Sequence, residues 1–205
     1  MKKSIFSFIL VSILSIAGAK VVFAAPKIYT VISGDSMWKI AVKYQIGLSE
    51  IIEANPSIKT PSLIYPGQKI NIPNIDSIKS LENEVIRLVN LERQKNGLLP
   101  LKTNWELSRT ARYKSQDMIN KNYFSHYSPT YGTPFDMMKN FGLKFSAAGE
   151  NIAYGQPTAK DVMNTWMNSK GHRGNILSPA YTEIGVGAAK NSSGVYYWTQ
   201  MFIKP

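Results

Sequence analysis

The absence of cysteine is the feature that most constrains how this chain can fold. None of its 205 residues is a cysteine, so neither disulfides nor thiolate metal sites can hold it together. The N-terminus carries Lys2 and Lys3, an apolar run over residues 5–19 and the tripeptide "VFA" at 22–24. This pattern is typical of a secretory signal peptide spanning residues 1–24. An exported chain without disulfides depends on its hydrophobic cores, and 44% hydrophobic residues suffice for a domain of about 125 residues plus a smaller one.

The net charge of the chain and the length of its N-terminal apolar run limit which binding partners are expected. Removing residues 1–24 takes away three lysines and no acids, which lowers the net charge from +11 to +8. A basic exported chain suits anionic wall polymers, whereas no basic run with interleaved aromatic residues indicates nucleic acid. The apolar run at 5–19 is too short to span a bilayer comfortably. We therefore expect no stable membrane span after cleavage, with an uncleaved anchor as the alternative.

Residues 27–73 have the pattern of a small β-α-α-β unit. The segments "KIYTVI" and "QKINIP" alternate apolar and polar residues like strands, and two helical patterns lie between them. In "SGDS", Asp35 or Ser36 can cap the first helix, in which the spacing of Trp38 and Ala41 predicts that Trp38 points inward. The second helix begins at Ser49, and "YPG" predicts a type II turn into the last strand.

The stretch "YTVISGDSMWKIAVKYQIGLSEIIEANPSIKTPSLIYPGQKINIP" closely resembles a LysM module along its whole length. The resemblance implies binding of peptidoglycan or another N-acetylglucosamine glycan in a shallow groove between two loops. Helix capping by "GDS" is compatible with such contact. Carried over by position, the resemblance implies groove residues Gly34, Asp35, Ser36, Met37, Leu63, Ile64 and Tyr65.

Residues 80–205 are predicted to form a second domain. The linker at 74–79, "NIDSIK", has no glycine or proline run. It therefore favours one preferred angle between the domains. Ser80 can cap a helix that turns Leu81, Val85, Leu88 and Leu91 inward and ends at Gly97. Further helices are predicted over 105–122, 134–141 and 159–169, followed by a β-hairpin around "NSSG". The fold class is therefore α+β.

Four fragments in this second domain, "NYFSHYSP", "AAGENIAYG", "SKGHRGNIL" and "YTEIGVG", occur in order and are followed by "YYWTQMF". Together they resemble the bacterial branch of the CAP superfamily, also called SCP-like or PR-1-like, over residues 80–202. The resemblance implies an α-β-α sandwich with a central cleft. His126, His172 and Glu150 would meet there, although they come from three separated segments.

These three side chains suggest two kinds of chemistry. Two neutral imidazoles and a carboxylate can bind zinc and leave a position for water. Without metal, His126, His172 and Glu150 form a general acid–base set in which Glu150 orients an imidazole ring. Alternatively, Glu150 fixes the "GENI" turn by bonding loop amides, and this role is as well supported as a role in chemistry. Either histidine could also be only a structural residue.

The flanks of His172 and one departure from the family refine this expectation. Gly171 and Gly174 would let the backbone turn tightly around the imidazole, and Arg173 would add positive charge. Eukaryotic relatives have a second glutamate where this chain has Ser169. Glu183 is the alternative second carboxylate, although a strand start fits a structural role. Any zinc binding is therefore expected to be weak, with no other cofactor.

The sequence thus predicts a secreted, wall-associated protein in which a LysM anchor holds a CAP domain on peptidoglycan. The CAP cleft would recognise a ligand without established catalysis. The alternative is a metal-dependent hydrolase of peptides or wall polymers that uses His126, His172 and Glu150. Lipid or sterol carriage is a third class, suggested only by analogy with other CAP proteins.

Overall fold

The computed structural model describes residues 27–205, so the predicted signal peptide lies outside the described part. The first domain has the predicted β-α-α-β order. Strands β1 and β2 pair antiparallel, and the two helices pack their apolar side chains over them into a separate small core. The elements are β1 (Lys27–Thr30), α1 (Met37–Tyr44), α2 (Leu48–Glu53) and β2 (Lys69–Ile72).

The first helix confirms one prediction and corrects another. The Ser36 hydroxyl accepts a hydrogen bond from the Lys39 amide and caps α1. Trp38, expected to point inward, is 42% exposed. Its ring instead faces the second domain, where the Arg109 guanidinium lies 5.3 Å from the ring centre. The inward positions of α1 are taken by Met37, Ile40 and Ala41, so the core stripe leaves no room for the tryptophan.

The link between the domains is shorter than expected because the next helix, α3, begins at Asp76 and runs to Lys95. Ser80 therefore lies inside α3 and caps nothing. At the start of α3, the Asn74 side-chain oxygen instead accepts a hydrogen bond from the Asp76 amide at 2.9 Å. Leu91, predicted to point inward, is exposed, whereas Gly97 ends the helix as predicted with a φ of 69°.

The second domain is the three-layer α-β-α sandwich expected from the sequence, which confirms the α+β class. A four-stranded sheet in the order β3-β5-β6-β4 has α4 and α5 on one face and α3, α6 and α7 on the other. The β5–β6 hairpin around "NSSG" is confirmed. The elements are β3 (Lys102–Thr103), α4 (Trp105–Asn120), α5 (Pro134–Asn140), β4 (Ala147–Tyr154), α6 (Ala159–Met167), α7 (Lys170–Ile176), β5 (Glu183–Lys190) and β6 (Tyr196–Lys204).

Two glycines in "EIGVG" let α4 lie directly on the sheet. Side chains alternate along β5, so Ile184 and Val186 enter the core on the α3 side while Gly185 and Gly187 face α4. A Cβ atom on Gly187 would lie 2.0 Å from the Arg112 backbone nitrogen. The close approach of helix and strand therefore requires glycine, and it places the polar residues of α4 against the sheet.

Besides Trp38 on α1, helix α2 of the first domain contacts α4 of the second. The Tyr113 hydroxyl donates to the Glu50 carboxylate at 2.7 Å and also hydrogen-bonds the Ser49 hydroxyl. Burial is the main reason that the pKa of Tyr113 rises to about 12, so the phenol keeps its proton. No helix within residues 27–205 is both long and apolar enough to cross a bilayer.

Candidate functional site

A histidine–carboxylate pair joins the loop after α4 to strand β4. His126 Nδ1 lies 2.7 Å from Glu150 Oε1. The Glu150 side chain is 1% exposed, whereas that of His126 is 55% exposed. The arrangement therefore presents an imidazole to solvent while the carboxylate behind it fixes the orientation of the ring. The predicted meeting of these two residues, 24 positions apart, is present in the structure.

Burial raises the pKa of Glu150 above its usual value, although the hydrogen bond from His126 and the positive charges of Lys114 and His126 act in the opposite direction. The second carboxylate oxygen, Oε2, is buried and has no hydrogen-bond partner among the described residues. A carboxyl group held this way binds a proton more readily than one in water. The protonation of Glu150 is therefore governed first by its burial and second by the imidazole beside it.

Helix α4 supplies the groups that hold the His126 loop. The buried Lys114 ammonium donates to the His126 carbonyl at 2.8 Å. Asp117, one turn further along, accepts hydrogen bonds from the hydroxyls of Tyr123, Ser128 and Thr130, each at 2.6 Å. Burial opposes the charge on Asp117, but these donors prevail and lower its pKa. The loop is thus fastened on both sides of the histidine.

His172 lies on α7, which the sequence did not predict as a helix. Gly171 and Gly174 are ordinary helical positions with open space around them, so the predicted tight turn is wrong. Burial, followed by the positive charge of His126, lowers the pKa of His172. Its Nδ1 atom is buried and has no hydrogen-bond partner within residues 27–205. The imidazole is therefore held mainly in its neutral form.

Asparagine side chains attach α7 to β4. The Asn151 amide donates to the His172 carbonyl at 3.0 Å and to the Gln200 side chain at 2.9 Å. The Asn175 amide donates to the Glu150 carbonyl at 3.2 Å and to Asn151 Oδ1 at 2.8 Å. Because successive residues of a strand face opposite sides, Glu150 reaches His126 while Asn151 reaches α7.

The zinc expectation can be tested against the donor geometry. Within residues 27–205, no three His, Cys, Asp or Glu side chains are grouped closely enough to hold a metal ion. Glu150 uses Oε1 for the hydrogen bond to His126. As placed, these residues do not form a three-ligand zinc site. Zinc binding by His126, His172 and Glu150 therefore has no support beyond the sequence and stays a prediction.

The remaining candidates do not complete a tetrad. Ser169 is the N-cap residue of α7 and its hydroxyl makes no capping bond. Glu183 lies at the start of β5, separated from β4 by β6, and accepts from the Asn104 side chain at 2.7 Å. The same Asn104 side chain caps α4 by accepting from the Leu107 amide at 3.0 Å. Arg173 is exposed.

The first domain holds its two candidate glycan loops together through backbone hydrogen bonds. The Val31 amide donates to the Gln68 carbonyl, and the Gly67 amide donates to the Val31 carbonyl, both at 2.9 Å. Leu63 and Tyr65 are exposed on one loop, and Ile64 is half-buried. These contacts fix the spacing of the two loops.

The other loop is built on Gly34, which has a φ of 85°. Asp35 accepts from the Ile32 amide and the Tyr29 hydroxyl, and these two hydrogen bonds lower its pKa. The Met37 side chain is buried in the core, so only its backbone can face a glycan.

Fold and site together define a CAP-type sandwich preceded by a LysM-type unit. The model of the CAP family, described as the cysteine-rich secretory protein family, matches residues 86–202, and the LysM domain model matches residues 29–73. The chain belongs to the CAP family and contains a LysM domain. It has none of the cysteines that give the family its name.

Three relatives illustrate the match. "Uncharacterized protein YkwD" of Bacillus subtilis is 57% identical over 127 residues, covering 62% of this chain and 48% of that protein. An extracellular SCP-domain protein of Bacillus anthracis, known from a crystal structure, has a TM-score of 0.58 at 34% identity, covering 68% of this chain and 47% of the other. "Probable autolysin LDP" of Staphylococcus aureus is 38% identical over 55 residues, covering 27% of this chain and 19% of that protein. The chain thus spans about half the length of the two CAP relatives named here.

Sequence reasoning missed the supporting residues of the site. Lys114 lies on the same helical stripe as the buried Leu107, Ala111 and Met118, which is the signal that could have marked it as an inward-facing lysine. Asn151 and Asn175 lie inside the motifs "AAGENIAYG" and "SKGHRGNIL", where neither residue has a charge or a period that predicts its contact. Their amides, rather than the glycines beside His172, position α7.

Proposed function

We propose that the protein is an exported, wall-associated CAP protein whose LysM domain holds it on peptidoglycan. The LysM match at residues 29–73 carries this proposal, since LysM modules bind N-acetylglucosamine glycans. A relative of this segment bears the name of an autolysin, a protein that works at the cell wall. The positive net charge adds attraction to anionic wall polymers.

In this proposal the CAP domain recognises a wall ligand through His126, with Glu150 behind it and His172 nearby. An exposed imidazole backed by a buried carboxyl group can donate or accept a hydrogen bond according to its protonation state. Recognition fits the donor geometry better than metal-dependent hydrolysis, because Glu150 is engaged with His126 and the described residues gather no group of three metal ligands.

The proposal predicts that the chain sediments with insoluble peptidoglycan through its LysM groove. Replacing the exposed Leu63 and Tyr65 together by alanine should abolish most of the sedimentation, because in this proposal their side chains would form one wall of the groove. The matched control is Leu99→Ala, which removes an exposed apolar side chain from the other domain.

Salt separates the glycan groove from simple charge attraction. In about 1 M salt, screening acts within roughly 3 Å and suppresses attraction between exposed charges. Sedimentation of the unmodified chain should persist under these conditions. Adhesion that disappears in high salt, or that is equally strong in the Leu63 and Tyr65 double variant, would show that the groove is not the anchor.

A further inference from the structure

Three aromatic rings form a continuous surface beside His126. The rings of Phe124 and Tyr154 have centroids 4.8 Å apart, and those of Tyr154 and Tyr197 are 5.6 Å apart and nearly parallel, at 26°. Phe124 is 45% exposed, Tyr154 is 53% exposed, and Tyr197 is half-buried. We call these three residues the aromatic platform.

The fold places the platform next to the histidine–carboxylate pair. Tyr154 and Tyr197 are directly paired across β4 and β6. Tyr154 lies on the same face of β4 as Glu150, four residues along the strand, which corresponds to about 13 Å. Phe124 precedes His126 by two residues in the loop and packs on Tyr154. The platform and the pair are therefore adjacent parts of one surface.

The platform does not belong to the hydrophobic interior. The buried clusters of residues 27–205, with the half-buried side chains packed on them, include none of its three rings. Adjoining exposed aromatic rings are more typical of a ligand surface than of a packing requirement. Each tyrosine also offers a hydroxyl group, so the platform combines flat apolar faces with polar edges.

We propose that the aromatic platform binds the sugar rings of an N-acetylhexosamine glycan. A pyranose ring has an apolar face that can lie on an aromatic ring, and the platform carries no charged side chain that such an uncharged ring would have to desolvate. This inference rests on the proposed function, because the LysM groove would hold the same repeating polymer. Tethering by one site raises the local concentration of the glycan at the second site.

An extended peptide added to β4 is a poorer occupant. β4 is an edge strand, but two of its outward carbonyls already accept hydrogen bonds from side chains. The Glu150 carbonyl accepts from the Asn175 amide at 3.2 Å, and the Ile152 carbonyl accepts from the Trp166 indole at 3.3 Å. Side chains that cover a strand edge prevent another strand from pairing there.

The test is a titration of the full chain, carrying ¹³C-labelled tyrosine and phenylalanine, with the β-1,4-linked tetramer of N-acetylglucosamine. The NMR signals of the Tyr154 and Tyr197 rings report on the platform, and that of Tyr65 reports on the LysM groove. Both sets should shift. Tyr154→Ala should weaken binding read at Tyr197 by about three- to tenfold, as expected for the loss of one ring contact.

Matched variants separate stacking from other causes. Tyr154→Phe keeps the ring and should retain most of the binding, whereas Phe135→Ala removes a similarly exposed ring from α5 and should change neither site. The binding curve at Tyr65 should be the same in all three variants. An equal loss of binding in Phe135→Ala would overturn the assignment to the platform.

The remaining outcomes distinguish this inference from the proposed function. A shift at Tyr65 without any shift at Tyr154 and Tyr197 would overturn the platform and leave the LysM anchor intact. If neither site responds, both the anchor and the platform are wrong. If phosphatidylglycerol vesicles shift the platform signals and the tetramer does not, the platform is a membrane-binding surface and the glycan assignment is overturned.

Discussion

The two domains build their candidate sites in opposite ways. In the LysM domain, Gly34, Asp35 and Ser36 are consecutive: the Asp35 carboxylate closes the loop, and the neighbouring Ser36 hydroxyl caps α1. In the CAP domain, His126 and Glu150 come from separate segments and meet at 2.7 Å only when the loop after α4 packs beside β4. One site is a local turn, and the other exists only in the folded sandwich.

The carboxyl groups of the two sites differ in their burial and in the direction of their pKa shift. Asp35 is partly exposed, and hydrogen bonds from its own loop lower its pKa. Glu150 is buried, and that burial raises its pKa despite the imidazole beside it. A carboxyl group with a raised pKa requires a surrounding core that keeps water away. The chemistry of the CAP site should therefore depend on its packing much more than that of the LysM loop.

Gly187→Ala should lower stability more than any other variant described below, and it should do so in the CAP domain only. The new methyl group would collide with the backbone of α4, which cannot move without leaving the sheet. We expect the free energy of unfolding of the CAP domain to fall by about 3 kcal/mol or more. Residue-resolved hydrogen exchange would measure this loss. Protection at Ile70, in the LysM core, should stay unchanged.

The control for this variant is Gly171→Ala, because a Cβ atom at that helical position meets open space. It should leave the CAP domain as stable as before or up to about 1 kcal/mol more stable. Equal loss of protection at Ile70 and in the CAP core of Gly187→Ala would show that the two domains unfold as one unit.

Glu150→Gln should change how stability depends on pH. Since the folded-state pKa of Glu150 exceeds the ordinary value of 4.5, the fold binds this proton more tightly than the unfolded chain. The Glu150 contribution to stability is therefore full below that value and is lost as pH rises through the folded-state pKa. Relative to the unmodified chain, the glutamine variant should gain stability across this window, by at most about 1.4 kcal/mol per pH unit.

Urea denaturation at a series of pH values would measure this slope, with Glu53→Gln as the control for an exposed carboxylate. A relative loss of stability in Glu150→Gln as pH rises would mean that the pair with His126, rather than burial, dominates the carboxyl group.

Ser36→Ala should have the smallest effect and should stay within the LysM domain. It removes the hydroxyl that caps α1, which is worth about 1 kcal/mol at an exposed helix start. Thermal unfolding of the LysM core would report the loss, and Ser57→Ala is the control at an exposed position without a capping role. If glycan binding disappears while stability is unchanged, Ser36 contacts the ligand rather than only capping the helix.

Local patterns were sufficient wherever one segment determines its own structure. The β-α-α-β order, the capping of α1 and the hairpin around "NSSG" follow from turn residues and apolar spacing, and all are confirmed. Helix α4 was also predicted correctly, because its buried Leu107, Ala111 and Met118 keep helical spacing. Ser80 failed as a cap because α3 already begins at Asp76, so Ser80 lies within the helix.

The composition and motifs of the sequence by themselves determined a chain without disulfides, with a LysM unit and a CAP domain in that order. Only the tertiary structure decided which side chains support the site. Trp38 faces Arg109 rather than the core, Lys114 is buried beneath the His126 loop, and amides rather than glycines hold α7. The physical reason is that periodicity specifies which face of a helix or strand is apolar, whereas the partner of a buried polar group is chosen by segments far away in the chain.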